Sequence, residues 1–283
     1  MKRRRFFQGA VASSALCAPS FLRAAPTFRL GLTPVFLDND AILIDRLRSL
    51  VSTAMGDPIE LIQRRTYQEI TAMLLDGSVD AAWICGFPFL QHKDRLALIG
   101  VPQWRGRPLY QSYLIVGGDD PAEELMDLEG GTHAFSDPDS NSGYLVTASD
   151  LARTGNSADT FFSRTIYTYG HRNVVRSVAG GLTRSGSVDG YVWETLALVE
   201  PELTQGTRVV AKSEWMGFPP FAARRDRASS EDVSRFATIL KSLDASASGR
   251  EVLELLFLDR IVDGERTLFD TIALRMADLP ERQ

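Results

Sequence analysis

A turn of small polar residues, FSDPDSNSGYLV at positions 135–146, is the part of the sequence best suited to chemistry. An apolar strand runs into this turn, and an apolar run follows Gly143 and Tyr144. Ser, Asn and Asp side chains satisfy the free N–H groups that begin a helix, so one interpretation is a capped turn between a strand and a helix. The other interpretation is an anion-binding site, because these donors would join the outward N–H groups and the positive dipole end of a helix.

The sequence contains none of three common enzyme motifs. It has no G-x-S-x-G, H-E-x-x-H or G-x-x-x-x-G-K-[ST] pattern, and its three histidines, His92, His133 and His171, lack the spacing of metal ligands. Asp137 and Asp139 form a carboxylate pair, but both lie in a Pro-containing turn where capping explains them. We therefore expect a binding protein without a cofactor, and not an enzyme.

The first 25 residues, MKRRRFFQGAVASSALCAPSFLRAA, have the basic start and apolar middle of an export signal. Arg3, Arg4, Phe6 and Phe7 resemble a twin-arginine signal, which predicts a periplasmic protein; a membrane anchor is the alternative. Removal of this segment changes the formal net charge from −5 to about −10. Such an acidic chain is not expected to bind nucleic acid or an anionic membrane.

The remaining chain alternates between strand and helix patterns. A first β-α-β-α-β series is predicted in TFRLGLTPVF, NDAILIDRLRSLVSTAMG, IELIQRR, TYQEITAMLLDG with Thr66 as its cap, and VDAAWICG. A second series begins at GTHAFSDP, with helices near 141–154 and 173–183, a strand near SRTIYTYG and a strand at VDGYVW. The strings GSVDAAW at 77–83 and GSVDGYVW at 186–193 suggest that the two series are similar. This order predicts two α/β lobes, each a mostly parallel sheet flanked by helices.

Two stretches are predicted to be strands that cross between the lobes, LYQSYLIVGGDD at 109–120 and RVVAKSEWMGFPPFAARRD at 208–226. The helical tail after Glu231 is expected to return to the first lobe. The predicted boundaries are therefore 1–25 for the signal, 26–113 and 221–283 for lobe 1, and 114–220 for lobe 2 with the crossing strands. Two such lobes leave a cleft that closes on a small ligand. Cys85, the only cysteine after the signal, is expected to be a small buried apolar residue.

These motifs resemble the periplasmic solute-binding proteins of ABC importers, in particular the PhnD-like group that binds phosphonate, phosphite and phosphate. The family pattern D-P-x-S-x-S-G-x-L is similar to residues 137–145, and LIVGGDDPAEELMDLEG and GHRNVVRSVAGG are similar to two further family segments. The resemblance implies a type II two-lobed fold, a monomer, a small oxyanion ligand and an inner-membrane ABC permease as partner. Two alternatives remain: a sensing module of the same fold that reports to a membrane receptor, and binding of a different solute class.

The resemblance also implies roles for individual residues. Ser140, Asn141 and Ser142 would hydrogen-bond the oxyanion, helped by the backbone N–H groups around Gly143. His171 would complete this side of the site, as the family histidine does. The alternative for His171 is a structural role, as a cap of the helix that follows it.

The opposite wall of the cleft is predicted from lobe 1 and from the end of the second series. Tyr67 falls where the family has a tyrosine, with a half-buried structural aromatic as the alternative. Phe87 and Phe89 follow the third strand and are candidates for the wall, with core packing as the alternative. Trp193 and Glu194 would face the organic end of the ligand, although Glu194 also fits the exposed start of a helix.

Two departures from the family pattern bear on the ligand. Asn141 replaces a hydroxyl residue, which keeps a donor and adds an acceptor that an anion would avoid. Family members that take amino-bearing phosphonates place a carboxylate in the second crossing strand, where this chain has MGFPPF. Unless Glu194 supplies the charge, a smaller or more apolar oxyanion is expected.

Overall fold

The computed structural model describes residues 27–34 and 41–279. The predicted export signal, residues 1–25, lies outside these ranges. None of the helices within them has the length and hydropathy of a membrane span. The strands are, in chain order, β1 (Phe28–Leu32), β2 (Ile59–Gln63), β3 (Ala81–Trp83), β4 (Leu96–Gln103), β5 (Leu109–Tyr110), β6 (Ser112–Gly117), β7 (Thr132–Phe135), β8 (Arg164–Tyr167), β9 (Ser185–Asp189), β10 (Thr207–Lys212), β11 (Met216–Gly217), β12 (Phe221–Arg224) and β13 (Arg260–Val262).

Helices pack around these strands and alternate with them along most of the chain. They are α1 (Ala41–Met55), α2 (Tyr67–Asp76), α3 (Gly86–Gln91), α4 (Val146–Arg153), α5 (Ala158–Phe161), α6 (His171–Ala179), α7 (Gly190–Val199), α8 (Pro201–Gln205), α9 (Glu231–Lys241), α10 (Ala247–Leu255) and α11 (Asp270–Ala277). A π-helical turn, Asn141–Leu145, leads directly into α4.

Two larger sheets form the centres of two lobes. The first lobe has the strand order β13-β4-β12-β3-β1-β2 and the second has β10-β6-β9-β7-β8. Strand β1 is parallel to β2 and β3, and β7 is parallel to β8 and β9, whereas the other neighbouring strands are antiparallel. The predicted α/β class with two lobes is confirmed. Each sheet is mixed, because β6 and β12 enter directly from a crossing segment without a crossover helix.

The lobes are joined by crossing segments that pair with each other. Strand β5 pairs with β11 in a small antiparallel sheet, with Tyr110 opposite Met216. The first predicted crossing strand is observed as β5 and β6. The second, predicted as one strand over 208–226, is instead divided into β10, β11 and β12, with Pro219 and Pro220 between the last two. Proline lacks the N–H group that a continuous ladder requires. The residue boundaries of the lobes remain predictions.

The C-terminal helix α11 connects the crossing segment to the second lobe. The Arg275 guanidinium is almost fully buried and donates to the Asp150 carboxylate at 2.7 Å and to the Val146 carbonyl at 3.1 Å, both in α4. It also donates to the Glu214 carboxylate, which lies between β10 and β11, at 2.6 Å. Arg275 therefore holds α4, and the π-helical turn before it, against the C-terminal helix.

Helix α2 forms as its sequence predicts. Thr66 accepts a hydrogen bond from the Glu69 N–H, and the Glu69 carboxylate accepts one from the Thr66 N–H, which is the reciprocal capping box. Gly77 ends the helix with a φ of 82°, a left-handed conformation that favours glycine. The cap places the first residue of α2, Tyr67, at the edge of the sheet facing the second lobe, where it contacts Asp137 and His171.

Three predictions about the two series were wrong. VDGYVW is not a strand, because β9 ends at Asp189 and its carboxylate accepts the N–H groups of Tyr191 and Val192 and so begins α7. The helix predicted near 173–183 begins two residues earlier, at His171. The two GSVD strings are not equivalent either, since the first lies before β3 and the second within β9. The similarity of the lobes is in their sheets, where β2-β1-β3-β12-β4 matches β8-β7-β9-β6-β10.

Candidate ligand-binding site

A cluster of buried polar side chains lies where helices of both lobes begin. Helices α3 and α7 and the π-helical turn follow β3, β9 and β7, and α2 and α6 follow β2 and β8, so these helix starts meet near the carboxyl ends of the parallel strands. Such edges are the usual ligand sites of open α/β sheets. The cleft cluster consists of Tyr67, Cys85, Tyr110, Ser136, Asp137, Ser140, Asn141, Ser142, Gly143, His171, Asp189 and Met216.

The 140–143 turn is closely packed and capped. The Ser140 hydroxyl accepts a hydrogen bond from the Gly143 N–H at 3.0 Å, so the predicted capping interaction is present. A side chain at position 143 would collide with Ser136, because a Cβ there would lie 1.9 Å from the Ser136 Oγ and 2.7 Å from its Cβ. Gly143 is therefore required for the close approach of this turn to the end of β7. The Ser140 hydroxyl can still donate its own proton while it accepts this bond.

Asn141 connects the 140–143 turn to the first lobe and to the crossing segments. Its backbone N–H donates to the Cys85 Sγ at 3.2 Å. Its side-chain Nδ2 donates to the Tyr110 hydroxyl at 2.9 Å and to the Met216 Sδ at 3.3 Å. The Asn141 Oδ1 and the Ser136 Oγ are buried and have no hydrogen-bond partner among the residues that the structure describes. Buried polar atoms of this kind commonly bind a ligand or water.

His171 is held in one neutral tautomer. Its Nδ1 accepts the backbone N–H of Asp189 at 3.0 Å, so the ring proton must be on Nε2, which lies 3.2 Å from the Tyr67 hydroxyl oxygen. Burial lowers the pKa of His171 to about 3, which keeps the ring uncharged. The His171 Nε2–H therefore donates to Tyr67, and this leaves the Tyr67 hydroxyl proton free for donation to a ligand.

Direct bonds between the lobes pass through this cluster. The Tyr67 N–H donates to the Asp137 carboxylate at 3.1 Å, in addition to the bond between Tyr67 and His171. The bond from Asn141 to Cys85 also joins the second lobe to the first. These contacts require that the lobes be closed upon each other, so opening of the cleft would break all three.

The charged groups of the cluster are acidic. Asp189 is fully buried, and burial raises the pKa of its carboxyl to about 7 against the opposing effect of the Val192 and Tyr191 N–H groups. Burial raises the pKa of the Cys85 thiol to about 11. None of the described hydrogen bonds of Asn141 or His171 comes from Lys or Arg. Any anion held here would depend on neutral N–H and O–H donors, whose fixed dipoles are effective where water is excluded.

The structure brings only some of the predicted site residues together. Tyr67, His171 and the 140–143 turn lie in the cleft cluster, and Phe87 is buried two residues from Cys85. Phe89 is fully buried against Phe269 in the core of the first lobe, with ring centroids 5.2 Å apart, as its structural alternative predicted.

Trp193 and Glu194 have partners outside the cleft cluster. The Trp193 Nε1 donates to the Thr207 hydroxyl at 3.1 Å. The Glu194 carboxylate accepts from the Tyr113 hydroxyl at 2.9 Å and pairs with Arg105 at 3.3 Å. Both residues belong to α7 rather than to the end of a strand, which directs them differently from the prediction.

Sequence reasoning missed six members of the cluster: Cys85, Tyr110, Ser136, Asp137, Asp189 and Met216. Asp137 was interpreted only as a capping residue of the turn. A signal was available for Tyr110 and Met216, because both lie in the predicted crossing strands, which must pass along the base of any cleft between the lobes. The only sequence signal for Cys85 was its position just before Phe87 and Phe89, which were predicted to form a wall of the cleft. Ser136 and Asp189 carry no sequence signal that separates them from ordinary strand ends.

Comparisons with known proteins show the family and the fold of the chain. A family model described as the periplasmic substrate-binding protein of a phosphonate ABC transporter matches residues 30–268. A curated relative, the phosphate-import protein PhnD of Mycolicibacterium smegmatis, is 24% identical over 208 residues, which cover 69% of this chain and 64% of the relative. The match thus spans less than two thirds of the length of that relative.

Solved structures share the fold at low sequence identity. A binding protein component of a phosphonate ABC transporter from Pseudomonas aeruginosa superposes with a TM-score of 0.80 at 20% identity, covering 89% of this chain and 85% of that one. PhnD1 of Prochlorococcus marinus, solved in complex with methylphosphonate, superposes with a TM-score of 0.77 at 15% identity, covering 89% and 97%. These likenesses show the type II periplasmic binding protein fold. Because the family model covers most of the chain, the protein belongs to the family of periplasmic substrate-binding proteins of phosphonate ABC transporters.

Proposed function

We propose that this protein is the solute-binding component of an ABC importer and that it binds a small phosphorus oxyanion in the cleft cluster. The observation that carries the proposal is the buried set of neutral donors between the lobes, formed by the 140–143 turn, His171 and Tyr67. The family supports this function, and so do the phosphate-import name of the curated relative and the methylphosphonate in the Prochlorococcus structure.

In this proposal the donors of both lobes meet the oxyanion only when the cleft is closed. The Ser140 and Ser142 hydroxyls donate from the second lobe, and the Tyr67 hydroxyl donates from the first. His171 orients the Tyr67 hydroxyl. A ligand that makes these bonds favours the closed form, and a membrane permease would recognise that form. Export of the chain to the periplasm would use the predicted twin-arginine signal at 1–25.

The ligand is proposed to carry a small uncharged substituent. Met216 occupies the crossing segment where a carboxylate would pair with an ammonium group, and Glu194 is already engaged by Tyr113 and Arg105. A thioether is apolar and a weak acceptor, so it suits a methyl group or a hydrogen atom better than an ammonium group. Methylphosphonate, phosphite and phosphate are therefore favoured over aminoethylphosphonate.

A thermal-shift and calorimetric screen tests this function. The ligands are methylphosphonate, phosphite, phosphate, aminoethylphosphonate and sulfate, applied to wild type, His171→Ala and Ser142→Ala. A ligand at a thousandfold excess over its Kd stabilises the folded state by about 4 kcal/mol. His92→Ala is the matched control, because His92 lies at the end of α3 outside the cleft cluster.

The proposal predicts a shift with at least one phosphorus oxyanion that is lost in the two cleft variants and retained in His92→Ala. If none of the phosphorus oxyanions stabilises the wild type, the proposed ligand class is wrong. If the shift survives both cleft variants, the ligand binds elsewhere.

A further inference from the structure

The orientation of the Asn141 amide is determined by its neighbours in the crossing segments. The Met216 thioether sulfur can only accept a hydrogen bond, and it lies 3.3 Å from the Asn141 Nδ2. The Tyr110 hydroxyl lies 2.9 Å from the same nitrogen. If the amide were reversed, its oxygen would face the sulfur, and two acceptors would be in contact. Met216 therefore fixes the NH2 group toward the crossing segments and the Oδ1 away from them.

This orientation leaves an acceptor, and not a donor, as the free atom of the amide. The Asn141 Oδ1 is fully buried, and among the described residues no N–H or O–H group donates to it. It belongs to the first residue of the π-helical turn, beside the proposed oxyanion donors. An unpaired buried acceptor destabilises the protein unless a donor reaches it. A fully deprotonated oxyanion offers only lone pairs and would be repelled by this atom.

The ionisable groups around Asn141 reinforce this preference. They lie in the turn itself, at the starts of α2, α3 and α6, in β5, at the junction of β9 and α7, and in α11, and two of them, Cys85 and Tyr110, bond directly to Asn141. They are Asp137, Asp139, Tyr67, Cys85, His171, Tyr110, Asp189 and Arg275. Arg275 binds the Val146 carbonyl and two carboxylates, so its charge is already paired. A negative charge on either buried aspartate of the cleft cluster, Asp137 or Asp189, would disfavour a second negative charge on the ligand.

We propose that Asn141, oriented by Met216, selects an oxyanion that carries an acidic proton. The ligand donates its P–OH hydrogen to the Asn141 Oδ1, while its remaining oxygens accept from the 140–143 turn and Tyr67. The bound species is the monoanion of a phosphonate, phosphite or phosphate. Sulfate and sulfonates carry no proton near neutral pH, so the site discriminates against them despite their similar shape. This inference rests on the proposed function and specifies the ligand of the same site.

Calorimetric titrations of the exported form of the protein test the inference. The ligands are methylphosphonate, trifluoromethylphosphonate and methanesulfonate, each titrated between about pH 5 and pH 8.5. Fluorine lowers the second pKa of the phosphonate. The affinity for each phosphonate should fall by about tenfold per pH unit above that ligand's own second pKa. The pH at which the fall begins should be lower for the fluorinated ligand, and methanesulfonate should bind at least about a hundredfold more weakly than methylphosphonate at the lowest pH.

The dependence on the ligand's pKa separates this inference from titration of the protein. If Asp189 or His171 caused the fall in affinity, it would begin at the same pH for both phosphonates, and the inference would be overturned. Equal binding of methanesulfonate and methylphosphonate would also overturn it. Failure of every phosphorus oxyanion to bind at any pH would overturn both this inference and the proposed function. Tight binding without a ligand-dependent pH effect would overturn this inference alone.

Two variants test the residues. Asn141→Thr replaces the fixed acceptor by a hydroxyl that can also donate. The affinity for the phosphonates should then fall less steeply with pH, and the ratio of the affinities for methylphosphonate and methanesulfonate should decrease by about tenfold or more. Met216→Leu keeps the volume but removes the acceptor that orients the amide, so it should change the same two measurements in the same direction. Asn156→Thr, in the loop after α4, is the control and should change neither. Unchanged discrimination in Asn141→Thr or Met216→Leu would contradict the inference.

Discussion

The contact between Gly143 and Ser136 supports a prediction with a calculable magnitude. In Gly143→Ala the new Cβ would lie 1.9 Å from the Ser136 Oγ, whereas non-bonded atoms are ordinarily about 3.5 Å apart. Rotation of the serine can move the Oγ, but its Cβ would still be only 2.7 Å away. The backbone must therefore shift and weaken the 3.1 Å bond from the Ser136 N–H to the Gly143 carbonyl. Overpacking costs about 1–3 kcal/mol and the lost bond about 1 kcal/mol more, so we expect about 3 kcal/mol of destabilisation.

A double-mutant cycle isolates this contact. Ser136→Gly removes both colliding atoms together with an unpartnered buried hydroxyl, so alone it should change the free energy of unfolding by less than about 1 kcal/mol. In the double variant it should restore at least about 2 kcal/mol of the loss, and the residual cost would come from the His171 Cε1 at 3.0 Å. Urea unfolding measures all four proteins. Gly117→Ala is the matched control, because a Cβ there meets nothing within 4 Å.

Two results would refute this reasoning. One is a Gly143→Ala protein that is as stable as Gly117→Ala, which would mean that the turn is not closely packed on β7. The other is a double variant no more stable than Gly143→Ala, which would place the strain at a contact other than Ser136.

Three further predictions concern the cleft and the C-terminal helix. Tyr67→Phe removes the hydroxyl that accepts from the His171 Nε2–H and donates to the proposed oxyanion. The affinity for the oxyanion should therefore weaken by about tenfold in calorimetry, while the unliganded protein melts within a few degrees of wild type. Unchanged affinity would contradict this. Because burial raises the pKa of Asp189 to about 7, the stability that its protonated form contributes is lost as the pH rises through that value. Asp189→Asn should therefore gain stability relative to wild type between about pH 4 and 7, by at most about 1.4 kcal/mol per unit in urea unfolding, and a constant difference would argue against a buried titrating carboxyl. Arg275→Met should lower the free energy of unfolding by about 1–3 kcal/mol, which is more than the matched variant Arg153→Met should lower it. The reason is that the Arg275 side chain is only 4% exposed, whereas that of Arg153 is 48% exposed. Equal effects of the two variants would show that the buried ion pairs of Arg275 add no stability.

The fold could be predicted from the sequence wherever local signals and burial agree. Thr66, Glu69 and Gly77 mark both ends of α2, and the apolar spacing of α1 predicts it to within a few residues. The failure at VDGYVW has a physical cause. Its valine and aromatic residues favour a strand, but Asp189 caps a helix. Much of α7 is buried, so its residues are as apolar as those of a buried strand.

The candidate site could be predicted only where one segment contains the chemistry. The 140–143 turn holds its polar residues in sequence and is recognisable alone, and the family pattern directed attention to Tyr67 and His171. Cys85 and Met216 come from distant segments and meet Asn141 only after both lobes and the crossing segments have folded. A local sequence pattern does not predict contacts between segments that are so far apart in the chain.

The bond from the Asn141 N–H to the Cys85 sulfur gives the protein an internal reporter of its own motion. In the closed form the thiol is 4% exposed and its pKa is raised to about 11, so an alkylating reagent would find almost no thiolate to attack. Separation of the lobes would remove the covering turn and admit the reagent. The alkylation rate would then measure how often the cleft opens, and a ligand that holds the lobes together would slow it in proportion to its occupancy. Opening and closing could thus be timed in the natural sequence, without an added label.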